Sequence, residues 1–121
     1  MTTTGRSVAQ LLGNILIWGD RLARFIDGVS KQDFSTDELR QAGASKCVEA
    51  IGEACGELLK RYPDFAAAHA CLELAQAYRA RNRLSHGYDV IDWEILWDTA
   101  TLYVPRLVAE VRRLGPADDA R

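Results

Sequence analysis

Cysteine is scarce in this sequence, and its few thiols are badly placed for a framework. Cys47, Cys55 and Cys71 are odd in number and show no CxxC spacing, which argues against paired disulfides and against a zinc knuckle; buried free thiols on helical segments are expected. There is no HExxH pair, no cluster of Cys and His, and no glycine-rich phosphate loop, so neither a metal nor another cofactor is implied. Long apolar runs are also missing. The best candidate, Ile15 to Trp18, breaks at Gly19-Asp20-Arg21, far short of the roughly 20 residues a membrane span needs. Met1-Thr2-Thr3-Thr4-Gly5 has no basic stretch followed by an apolar block, so no secretory signal is read and a cytoplasmic location is expected. Positive charge is not in excess either: 15 Lys and Arg stand against 17 Asp and Glu, for a net charge of −2. A protein that coats nucleic acid indiscriminately is thereby disfavoured, and one that acts on it needs a local cationic patch on an acidic body.

What is present is helical periodicity. The 121 residues suit one domain with a real core, and no segment shows the sustained alternation of a strand. A first helix is read from about Ser7 to Gly28, with Val8, Leu11, Ile15, Trp18, Leu22, Phe25 and Val29 on one stripe. Ser30 to Ser35 reads as a connector. Thr36 is placed to cap a second helix reaching Arg61, which would bury Leu39, Cys47, Ile51, Ala54 and Leu58. Its Gly43, Gly52 and Gly56 weaken helix propensity but would let a neighbouring helix come close. Tyr62-Pro63-Asp64 stops it. A third helix spans roughly Ala66 to Arg81, and a fourth starts at Asp92 with Trp93, Trp97, Ala100, Val104, Leu107, Val111 and Leu114 inward. Pro105 should kink that helix or loosen one of its turns, and Gly115-Pro116 should end it. The fold class expected is all-α: an antiparallel four-helix bundle over residues 7–114, with a disordered start at 1–6 and a frayed tail at 115–121.

One run concentrates chemistry: Arg81-Asn82-Arg83-Leu84-Ser85-His86-Gly87-Tyr88, at the junction of the third and fourth helices. Here a base, a guanidinium and a phenol crowd together. A neutral imidazole can take the proton of a ribose 2′-hydroxyl, and a guanidinium can hold the charge that builds on the adjacent phosphate. His86 has an ordinary pKa near 6.5, and a neighbouring guanidinium favours its neutral, base-competent form. Each residue also has a plainer account. His86 can be a histidine bonded to backbone at a helix end, and Arg81 a charge favoured by the helix dipole. Asn82 can be a satisfied helix-end amide, and Tyr88 a ring packed in the bundle. Arg79 and Arg83, one turn apart, share a face if the helix extends that far and are candidate RNA contacts, though many such arginines are solvated surface. Glu53 is a possible partner for Arg81, and more simply a surface glutamate. His69 reads as structural, and Trp93 and Trp97 as core or interface.

The motif itself resembles a known family. Arg81, His86 and Tyr88 match the Arg-x4-His-x-Tyr signature of HepT-type HEPN proteins, and Asn82 matches the polar residue usual after the arginine. Ala50-Ile51-Gly52-Glu53-Ala54, Tyr62-Pro63-Asp64, Phe65 to His69 and Asp92 to Trp97 are similar to the corresponding family segments, so the likeness covers about residues 45 to 105. The resemblance implies a HEPN-type bundle acting as a two-fold homodimer, with both motifs facing a shared cleft. It implies a metal-independent ribonuclease, with Arg81 and His86 catalytic and Asn82 and Tyr88 supporting. It also implies the toxin role of a HEPN/MNT toxin–antitoxin pair, whose antitoxin is a small MNT-type nucleotidyltransferase able to transfer AMP to the motif tyrosine, here Tyr88. A different reading keeps the partner and drops the cleavage: a helical dimer that docks the nucleotidyltransferase and accepts AMP at Tyr88.

Overall fold

The computed structural model describes the backbone of residues 5–85 and 92–119 and the side chains of 5–84 and 92–115. Every regular element among these residues is helical. The helices are α1 (Val8–Ile26), α2 (Lys31–Phe34), α3 (Glu38–Arg61), α4 (Pro63–Ala68), α5 (Leu74–Ser85), α6 (Trp93–Asp98) and α7 (Val104–Asp119). The long helix α3 is central, with α1 on one side and α5 on the other, and α7 packs against α1. Named contacts give the directions. Tyr62, just past the end of α3, donates its hydroxyl to the carbonyl of Arg6 ahead of α1, and Gly52 and Gly56 of α3 meet Arg81 and Tyr78 of α5 in reverse order. Both pairs are antiparallel. The result is an all-α bundle around Leu11, Ile15, Leu22, Phe34, Ile51, Leu58, Leu96 and Leu107, each essentially solvent-free. Among the described residues no helix is long and apolar enough to cross a membrane.

Local chemistry sets several ends. Ser7 and Gln10 form a reciprocal capping box at the start of α1, which satisfies two otherwise orphaned N–H groups. Asp92 caps α6 by accepting the N–H of Ile95. The cap of α3 is Asp37, which accepts from the N–H of Arg40 at 3.0 Å, and not Thr36. The Thr36 hydroxyl points back to the carbonyl of Asp33 instead.

The structure corrects the sequence reading in other places. The connector at 30–35 contains the one-turn helix α2, because Phe34 is fully buried there; burial of such a ring contributes roughly 1.5–3 kcal/mol. The buried amide of Gln41 donates to the Phe34 carbonyl at 2.7 Å and ties the turn to α3. Leu39 is 83% exposed, since it lies in the first turn of α3, and Phe25 is also largely exposed. Cys71 is exposed, whereas Cys47 and Cys55 are buried. The third helix is not continuous from Ala66. It is broken between α4 and α5 by a 3-10 turn at Ala70–Leu72 and by Glu73, which is left-handed with φ 50°. The carbonyls freed there, of Leu72 and Glu73, accept from the buried Tyr103 hydroxyl at 3.0 and 2.6 Å.

Ahead of Pro105 the last helix widens by one residue per turn over Thr99–Tyr103, so that the N–H of Val104 reaches back to Thr99. A wider turn accommodates a ring that brings no N–H of its own. Gly115 then departs from helical geometry at φ 71°, at the position where the sequence placed the helix end.

Candidate active site

The C-terminal half of α5 carries the described part of the motif. Gly52 lets it approach α3 closely. A methyl group at Gly52 would collide with Cβ of Arg81 and lie 2.9 Å from the carbonyl of Ala77. The missing side chain therefore seats the stem of Arg81 directly on α3. Because α5 runs to Ser85, Arg81 sits a full turn inside the helix and not at its end. Its Nη1 donates to Oδ1 of Asn82 at 3.0 Å, and its Nε is buried with no acceptor among the described residues.

No carboxylate among the described residues pairs with that guanidinium. Glu53 is exposed and contributes no such pair. A half-buried guanidinium with no acid beside it among the described residues is the kind of group that holds an anion.

Beside it the sequence reading missed two residues. Tyr78 lies one turn before Asn82, its ring over Gly56, where an added methyl would come within 2.6 Å of Cε1. Its phenol oxygen accepts from Nζ of Lys60 on α3 at 2.9 Å, and the Lys60 ammonium stands 4.8 Å from the ring centre. Hydrogen bonding from Lys60, then the side chain of Asn82 and the charge of Lys60, pull the phenol below the usual tyrosine range; burial opposes them, and the Arg81 charge adds least. The Tyr78–Asn82 spacing of four was visible in the sequence; the link to Lys60, from another helix, was not.

Arg79 and Arg83 occupy a different face of α5. They line a cleft of about 220 Å³ with Gln76, Ile95, Thr99 and Tyr103, away from the Gly52 contact of Arg81. The structure thus brings Arg81 and Asn82 together and sets Arg79 and Arg83 apart from them. His86 and Tyr88 lie outside the described residues. His69 is structural, with Nδ1 2.9 Å from the Phe65 carbonyl and its ring stacked on Phe65. Trp97 packs against Phe34, and Trp93 is half-buried against the core.

The sequence profile of the family described as "Ribonuclease HepT-like" matches residues 16–114. The chain belongs to the HepT-like ribonuclease family. Its relatives are distant, and the matches cover most of both chains. "Putative RNase MJ0125" of Methanocaldococcus jannaschii is 23% identical over 109 residues, 90% of this chain and 91% of the relative. "Putative RNase TTE0752" of Caldanaerobacter subterraneus subsp. tengcongensis is 27% identical over 103 residues, 85% and 89% of the two chains. "Probable ribonuclease HepT" of Thermococcus cleftensis is 29% identical over 94 residues, covering 77% and 82%. No solved structure gives a significant match. The HepT-like match spans α3 and α5, the helices that position Arg81 and Asn82.

Proposed function

We propose that this HepT-like chain is a metal-independent endoribonuclease, the toxin of a HEPN/MNT toxin–antitoxin pair, with Arg81 and His86 as its catalytic residues. The observation that carries the reading is the half-buried Arg81, held to Asn82 and free of any carboxylate among the described residues, in a chain of a ribonuclease family. Ser85, the last residue of α5, stands about 6 Å along the axis from Arg81 at the usual helical rise, and His86 follows it in the sequence.

In the proposed reaction His86 removes the proton of the 2′-hydroxyl, and the freed oxygen attacks the neighbouring phosphorus. The bond from phosphorus to the 5′-oxygen breaks, and that oxygen leaves with a proton. Arg81 holds the charge of the five-coordinate transition state. The products are a 2′,3′-cyclic phosphate and a free 5′-hydroxyl. A single chain supplies one good base and no evident acid for the leaving oxygen. A two-fold homodimer meets that need by bringing a second copy of His86 to the same cleft. Asn82 supports Arg81, and Tyr88 either touches RNA or receives AMP from the MNT-type antitoxin. Arg79 and Arg83 are proposed RNA contacts on a separate cationic face, so they would hold a more distant part of the strand.

The test is end chemistry. RNA incubated with the purified protein in EDTA should carry cyclic phosphates and 5′-hydroxyls at the cuts, and expression should arrest growth unless His86 is replaced by Ala. Intact RNA together with AMP transfer to Tyr88 by the partner would instead support the docking-and-acceptor reading.

A further inference from the structure

Arg79 and Arg83 stand one turn apart on α5 and open into one cleft, walled on the far side by Ile95, Thr99 and Tyr103. No acidic side chain lines it, and neither guanidinium forms an ion pair with a carboxylate among the described residues. Like charges at this spacing disfavour a helix slightly, and an anion between them turns repulsion into attraction.

The other walls decide what kind of anion fits. The Tyr103 hydroxyl is given to the carbonyls of Leu72 and Glu73, and the Thr99 hydroxyl to the carbonyl of Ile95. Tyr103 is only 4% exposed, so its ring offers no open face for a base to stack on. A volume of about 220 Å³ is also below the roughly 300–1,000 Å³ of pockets that enclose a whole ligand. What remains is two guanidiniums, whose forks suit phosphate oxygens, with the Gln76 amide beside them. Such a set grips a backbone and carries little to tell one base from another.

We infer that this cleft is a phosphate subsite for the backbone of the RNA strand, away from the bond that is cut and blind to its bases. The inference rests on the ribonuclease reading, in which Arg81 holds the scissile phosphate. Arg81 is two residues from each of the pair, so about 200° around α5 at 3.6 residues per turn. Its stem is seated on Gly52 of α3. The two anion positions therefore lie on opposite faces of a helix ~10–12 Å thick, farther apart than neighbouring phosphates of one strand. The substrate is then a strand several nucleotides long that curves round α5, and a dinucleotide cannot fill both places.

Both arginines are exposed, so Arg79→Gln/Arg83→Gln should fold, as a thermal unfolding curve will verify. Binding is read with a fluorescent DNA oligonucleotide, which lacks the 2′-hydroxyl that the proposed cleavage needs. The double variant should bind it at least about tenfold more weakly than wild type. Its log–log salt dependence should be shallower by about 0.7 for each phosphate no longer held, and the loss should be equal for purine and pyrimidine sequences. An unchanged salt slope or a loss confined to one sequence would overturn the inference. So would a poly-glutamate peptide that binds wild type as tightly as the oligonucleotide and loses as much in the variant, since the cleft would then suit an acidic protein segment. On RNA, the deficit of the double variant in kcat/KM should shrink as the strand is shortened toward a dinucleotide, while that of Arg81→Ala should not; a deficit independent of length would overturn the subsite. Failure of the ribonuclease reading looks different: wild type leaves RNA of every length intact, while the salt slope still reports on the cleft.

Discussion

Cys55 is fully buried, and burial pushes its thiol up to about 12. Burial also raises Cys47, though the charges of Arg21 and Arg24 pull partly the other way. Cys71 is exposed. Since the thiolate is the reactive form, a thiol-specific dye on the native protein should report one fast thiol, and three only after denaturation; a second fast thiol in native buffer would contradict the packing of α3. The charged residues yield a pH prediction. Arg6 donates to Glu57 at 2.7 Å, and this bond chiefly holds the carboxyl below its ordinary value of 4.5. With a depressed folded pKa, the pair stabilises the fold above 4.5 and loses that contribution as pH falls through the lower, folded value. Arg6→Ala should therefore lower the unfolding midpoint more at pH 7 than in acid, and the difference should shrink as the pH falls below 4.5.

At the scale of helices, close approach decides the sign of glycine replacement. Ala in place of mid-helix Gly gains up to about 1 kcal/mol of helix propensity. At Gly13 an added methyl meets nothing within 4 Å, so Gly13→Ala should stabilise by about that amount in urea titration. At Gly52 the methyl meets backbone and the root of Arg81, neither able to swing aside. Overpacking there costs about 1–3 kcal/mol, so Gly52→Ala should be destabilising on balance and should also misplace Arg81. Tyr103→Phe should cost about 1–3 kcal/mol by leaving the Leu72 and Glu73 carbonyls short of their donor. These contacts also explain what could be read in advance. The start of α1 at Ser7 and the cap at Asp92 were legible because their partners lie three residues away. The close-packing glycines were legible as a possibility, without their partners. The break at 69–73 was not, since its stabilising hydroxyl comes from Tyr103, thirty residues further on. Nor was α2, whose Phe34 is buried by α3 and Trp97.

For the molecule as a whole, the family likeness was legible from the residues and spacing of the motif, and the family match over residues 16–114 agrees with it. What spacing could not give was the support: a bare glycine under Arg81, a phenol and an ammonium beside Asn82, and no acid to neutralise the guanidinium among the described residues. The glycine and the ammonium come from α3, which only the antiparallel packing brings alongside α5. The same packing turns Arg79 and Arg83 to another face, so a strand held at both places must pass around α5. The proposed two-fold assembly would be the source of a second imidazole. The direct test of the central claim is the initial rate of RNA cleavage in EDTA by purified wild type, Arg81→Ala and His86→Ala proteins of equal stability. The account predicts cleavage by the wild type and a loss of at least about 10²-fold in each variant. Cleavage that persists in both variants, or that requires an added divalent ion, would contradict it.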